Sequence, residues 1–212
     1  MYISVETYEE MYLKGKDAET VGREVEKLRN EIARIKRKME SPSYVYAERS
    51  YPSDDRVIEI CRGYFERAAS ALAELLGVES VLNEEEKSAK FVDAMSEDIS
   101  SLTLTVGRYL ENKYEIYFTP SSAKITALHL GEEPTVTEAE RDLLMDGIAA
   151  LHLGEWRQLY LPEDYGCTLN EPTKWQLRVE YYGGAAPRFY DGLGIFPYNF
   201  SSLCKLLGAE IF

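Results

Sequence analysis

The chain has 212 residues, 45% of them hydrophobic and 29% charged, with 24 Lys plus Arg against 37 Asp plus Glu and a formal net charge of −13. Such an apolar share excludes wholesale disorder and fits one globular domain, alone or with an appendage. No apolar run approaches the ~20 residues of a membrane-spanning helix. The start, Met1-Tyr-Ile-Ser-Val-Glu-Thr-Tyr-Glu-Glu10, lacks the basic and apolar regions of a signal peptide, so a cytoplasmic protein is expected.

The first strong helical signal opens at Asp17. Val21, Val25, Leu28, Ile32, Ile35 and Met39 recur at alternating spacings of four and three, an a/d heptad seam. Acids lead this helix and Arg34, Lys36, Arg37 and Lys38 close it, complementing the helix dipole, before Ser41-Pro42 ends it. A seam this short needs a partner surface, so these six residues are expected to self-associate into a homodimer or to pack on a partner. A linker rich in Tyr, Ser and Pro runs from Ser41 to Ser53. A second helix follows from Ser53-Asp54, with Val57, Cys61, Tyr64, Phe65, Ala68, Leu72 and Leu75 inward and Gly77 as its stop. Asn83 with Glu86 three positions on predicts a capping box and a third helix, which turns Val92, Met95 and Ile99 inward and Glu86, Asp93 and Glu97 outward.

From Leu102 the period becomes two. Strands are expected at Leu102–Val106, Tyr114–Phe118, Lys124–Leu130, Trp156–Leu161, Trp175–Tyr181 and Arg188–Tyr190. Thr137-Glu-Ala-Glu140 has capping-box spacing and predicts a helix to about Leu151; Pro197-Tyr-Asn199 predicts another that Gly208 stops. The expected fold class is α+β: an N-terminal helical hairpin followed by a mainly antiparallel sheet covered by helices. Residues 1–50 form an appendage with its linker and 51–212 an acidic body, in which 101–151 and 156–207 read as a duplicated strands-then-helix plan.

Few residues point to chemistry. Cys61, Cys167 and Cys204 form no C-x-x-C pair. His129 and His152, the only histidines, lie in two copies of Ala-Leu-His-Leu-Gly-Glu, and with Glu132 and Glu155 they form the one conceivable metal set. Their leucine neighbours favour instead histidines satisfied by backbone. No phosphate-binding G-x-x-x-x-G-K-[ST], no G-x-G-x-x-G and no G-x-S-x-G elbow occurs. No catalytic residue, metal or cofactor is therefore assigned.

Charge is the stronger signal. Residues 1–50 carry ten acids and ten bases, whereas residues 51–212 carry 27 acids against 14 bases. Such a body is repelled by nucleic acid and anionic membranes and is drawn to a basic protein surface. Glu84, Glu85, Glu86, Asp93 and Glu97 are the expected docking acids, and Tyr182, Tyr190 and Tyr198 are expected contacts from the aromatic-rich C-terminal stretch.

The segment Trp175-x-Leu-x-Val-x-Tyr181, then Gly183-Gly184, then Pro197-x-Asn-Phe-x-x-Leu203 resembles the tail of an uncharacterised family of proteins from Firmicutes and their mobile elements. That resemblance implies a bacterial, intracellular origin and no assigned activity, and it brings small acidic inhibitors of the anti-CRISPR kind into view. The function expected is a non-catalytic binding module for a basic protein partner, sharpened as an inhibitor of a nucleic-acid-processing enzyme. The alternatives are an enzyme with a His/Glu site and a DNA-associated regulator acting through the basic end of the heptad helix.

Overall fold

The computed structural model describes residues 2–44 and 51–209. Contacts divide the chain into two units, Met1–Glu84 and Glu85–Phe212, so the helix expected to open the acidic body belongs to the N-terminal unit instead. Part of the expected linker, residues 45–50, lies outside the described residues.

The first unit holds α1 (Val5–Tyr12), α2 (Ala18–Met39) and α3 (Asp54–Leu76). Asp17 caps α2 by accepting from the Thr20 N–H at 2.8 Å, a bond that also holds its carboxyl below the usual range. Ser53 caps α3 in the same way, and Gly77 ends it in the left-handed conformation. Val21, Val25, Leu28, Ile35 and Met39 are buried, and Ile32 is half-buried. Their partner is α3, which packs along α2 within the same chain. The seam read as a self-association surface is thus covered within the chain, where α3 supplies the apolar surface that a short seam requires.

Helix α1 was not foreseen, because eight residues form no stable helix alone. Long-range contacts hold it. The Tyr8 ring stacks on Tyr64 at 4.1 Å, and its hydroxyl donates to Glu24 at 2.8 Å. Arg67 forks onto the Glu9 carboxylate, which keeps that carboxyl below its usual range.

In the second unit, α4 (Glu84–Ala94) leads into a seven-stranded sheet. Its strands are β1 (Ile99–Gly107), β2 (Asn112–Phe118), β3 (Ala123–Leu128), β4 (Thr135–Ala139), β5 (Leu159–Tyr160), β6 (Lys174–Tyr181) and β7 (Arg188–Leu193), in the order β4-β3-β2-β1-β6-β7-β5. Every pairing is antiparallel except β5 with β7, so the fold is α+β with a mixed, mainly antiparallel sheet. The inward face carries Leu102, Leu104, Val106, Tyr114, Ile116, Phe118, Trp175, Leu177 and Val179, which form one core with α5 (Arg141–Ala149) and α6 (Phe200–Leu207). Period-two alternation in β6 is complete, with Trp175, Leu177, Val179 and Tyr181 all buried.

Two expectations fail here. Thr137 lies in β4, paired with Ile125 of β3, and caps nothing; α5 starts at Arg141, with no side-chain cap from Glu140. The duplicated plan is not seen either. Residues 101–151 make a four-strand meander, whereas the second stretch opens on a two-residue strand lying parallel to β7.

Candidate functional site

The acids of α4 do not form one outward row. Glu84 and Glu85 are exposed at the helix start, Glu86 is half-buried, and Glu97 and Asp98 are exposed in a 3-10 turn beyond the helix. Asp93 is turned into the fold. Its Oδ1 accepts from the Gly154 N–H at 2.8 Å, and its Oδ2 lies 3.2 Å from His152 Nδ1. The predicted arc of Glu86, Asp93 and Glu97 is therefore corrected for a physical reason. The α-helical period stops at Ala94, and the groups that claim Asp93 lie about 60 residues further along the chain.

The clasp depends on two backbone features. His152 adopts φ 48°, a left-handed conformation that turns the chain sharply after α5. At Gly154 a Cβ would lie 2.1 Å from the Ala89 carbonyl oxygen, so only glycine lets this loop close on α4. A carboxylate on His Nδ1 is the orienting half of a nucleophilic triad. The thiols do not complete it. Cys204 is buried, with its pKa pushed up to about 12 by that burial, and Cys167 directs its thiol at the Pro162 carbonyl at 3.4 Å.

His129 stands elsewhere, its Nδ1 3.0 Å from Asn112 Oδ1 and its ring edge-on to Tyr114. Among the described residues no three His, Cys, Asp or Glu side chains are grouped to hold a metal, so His129, Glu132, His152 and Glu155 do not assemble as a set. Glu155 accepts instead from the Tyr198 hydroxyl at 2.9 Å.

The tyrosine assignments divide. Tyr190 is buried and donates to the Leu153 carbonyl at 2.9 Å; burial pushes its phenol up to about 12. Tyr198 is buried as well, so both are corrected from surface contacts to core residues. Tyr190 lies opposite Leu177, which fixes its side chain on the core face. Tyr182 remains exposed, while its hydroxyl donates to the Phe118 carbonyl at 2.7 Å. Asn199 stands at the start of the last helix as expected but makes no side-chain cap bond; instead it is a buried cross-link, which sequence reasoning missed, donating to the Leu151 carbonyl at 2.7 Å and accepting from Trp156 Nε1 at 2.9 Å.

The outward face of the sheet is the larger feature. One register row runs across six strands as Val136, Thr126, Glu115, Thr103, Arg178 and Phe189. At ~4.8 Å between strands the row spans about 24 Å. Tyr117 is 57% exposed, Phe189 54% and Leu159 50%, so large apolar side chains face outward on three strands. Two pairs of the charges between them are paired locally. Lys113 lies 3.3 Å from Glu115, Arg178 lies 2.5 Å from Glu180, and the Arg178 guanidinium covers the Phe189 ring at 5.8 Å. Lys124 and Lys174 are also exposed on this face, with Glu138 opposite Lys124 in the register, so acids and bases together surround the aromatic islands with a mixed polar field. Alternation in the strands could have revealed this face, because every outward position is the complement of a core position.

Comparison of the chain with protein-family models, curated proteins and solved structures finds no match.

Proposed function

We propose that this protein is a non-catalytic binding module that docks on a basic protein partner through the outward face of its seven-stranded sheet. The observation that carries the reading is that face itself: Tyr117, Phe189 and Leu159 stay exposed on a sheet whose other side packs the core along β1, β2 and β6. Seven strands at ~4.8 Å by about 20 Å of strand length give on the order of 600 Å², close to the ~800 Å² each partner contributes to a standard interface. Tyr, Phe and Arg are the residue types enriched at such interfaces. The polar groups that resemble catalytic parts, Asp93 with His152 and Glu155 with Tyr198, are engaged in closing loops.

The acidic excess of residues 51–212 acts at longer range, speeding encounter with a basic surface and opposing nucleic acid. A partner that itself binds nucleic acid supplies such a surface. In this sharper form the protein is an inhibitor whose carboxylates stand where phosphates would lie.

A photocrosslinking amino acid placed at Tyr117 or Phe189 tests the reading in cells. Both positions should capture the same protein, of basic character, and the same group placed at Leu143 on α5 should not. Capture of nucleic acid, or equal capture from all three positions, contradicts it.

A further inference from the structure

Strand β4 contributes little to the core. Thr135, Val136, Thr137 and Glu138 are exposed, and Ala139 alone is half-buried. The strand stands at the end of the sheet order and pairs with β3 alone. In an antiparallel ladder alternate residues turn their N–H and C=O away from the neighbouring strand, so the far edge of β4 offers a row of backbone donors and acceptors. The devices that usually blunt such an edge are sparse. The five residues run in unbroken register with β3, three of them are β-branched, and Pro134 precedes the strand without interrupting it.

Charge selects what this edge can take. The stretch from Gly131 to Glu140 carries Glu132, Glu133, Glu138 and Glu140, all exposed, and no base; Lys124, opposite Glu138 in the register, offsets one of the four. A second copy paired edge to edge would bring these acids together. A segment with Lys or Arg at alternate positions would meet them with opposite charge.

We infer that β4 accepts, by strand addition, an extended basic segment of the protein partner, with backbone hydrogen bonds supplying the pairing and the glutamates the selectivity. The inference rests on the protein-binding reading above and adds the partner's local chemistry and conformation. Val136 lies on the outward face as well as on this edge, so a segment added here continues directly onto the docking surface.

The test uses the full chain and a capped heptapeptide of alternating Lys and Val, with two analogues N-methylated at either the odd or the even residues. Strand addition predicts that the parent peptide slows hydrogen exchange at alternate amides of Thr135–Ala139. One analogue should bind within about threefold of the parent and the other at least about tenfold more weakly, because only one set of peptide N–H groups faces β4. Glu→Gln at residues 132, 133, 138 and 140 should also weaken the parent by about tenfold or more at low salt. Equal binding of the two analogues means plain electrostatic attraction and overturns the inference. So does a dimer of the peptide-free protein with protected β4 amides, which makes a second copy the occupant. Crosslinks from Tyr117 and Phe189 without peptide protection of β4 overturn strand addition and leave the binding module standing; failure of both overturns the two together.

Discussion

Replacing Asn199 by Leu removes the buried polar tie between the end of α5 and the start of α6. Leucine fills a similar volume, so the cost comes from hydrogen bonding. The Trp156 indole N–H loses its acceptor at 2.9 Å, and the Leu151 carbonyl loses its donor at 2.7 Å. Each buried group left without a partner costs about 1–3 kcal/mol, so Asn199→Leu should destabilise the second unit by about 2–6 kcal/mol. Trp156→Phe removes one of the two stranded groups. In that background the same substitution should cost about 1–3 kcal/mol less, a coupling that a double-mutant cycle isolates. The assay is denaturant unfolding followed by tryptophan fluorescence. Trp156 and Trp175 are the chain's two tryptophans and both lie in the second unit, so the signal reports that unit, and Trp175 still reports it when Trp156 is replaced. A loss below about 1 kcal/mol, or equal losses in the two backgrounds, would refute the claim that this side chain ties the helical cover together.

Val25→Asp should bury an unpaired charge against α3 and lower the denaturant midpoint of the helical far-UV signal, while the mass in solution stays that of wild type because the seam is satisfied within the chain. Gly192→Ala should place a Cβ 2.1 Å from Trp175 Nε1, displace the ring from its 2.7 Å bond to the Ile195 carbonyl, red-shift the emission and cost about 1–3 kcal/mol. Tyr190 and Cys204 are both pushed up to about 12 by burial, from ordinary values of 10.0 and 9.0. Their neutral forms therefore contribute stability that is fully present below pH 9, where both would also be neutral unfolded, and is lost as pH rises toward 12. Tyr190→Phe should flatten the fall in unfolding free energy between pH 10 and 12, measured by denaturant titration at each pH.

What could be read from residues alone was what local chemistry decides. Asp17, Ser53, Gly77 and Gly208 mark helix ends through bonds and backbone angles within a few residues, and the structure places those ends accordingly. The alternation of Trp175, Leu177, Val179 and Tyr181 needs only a sheet with one packed face. The misreadings arise where distant partners decide. Thr137 and Glu140 have the spacing of a capping box, yet Thr135-Val-Thr137 is β-branched and β3 stands ready to pair with it, so the strand wins. Glu97 shares an arc with Glu86 and Asp93 only if α4 continues past Ala94, and Asp93 itself is held inward by His152 and Gly154. Tyr190 had a readable signal in Leu177, its register neighbour on the core face, whereas Asn199 had none, because nothing near it in sequence announces Leu151 or Trp156.

The central claim, docking on a basic protein through the outward sheet face, is tested most directly by association kinetics with the captured partner. The rate constant should be measured across ionic strength for wild type and for Tyr117→Ser with Phe189→Ser, two exposed positions whose replacement leaves the core intact. The account predicts an on-rate that falls steeply with salt in both proteins, and a dissociation rate raised by about tenfold or more in the variant. Wild-type dissociation in the variant, or an on-rate indifferent to salt, would contradict it.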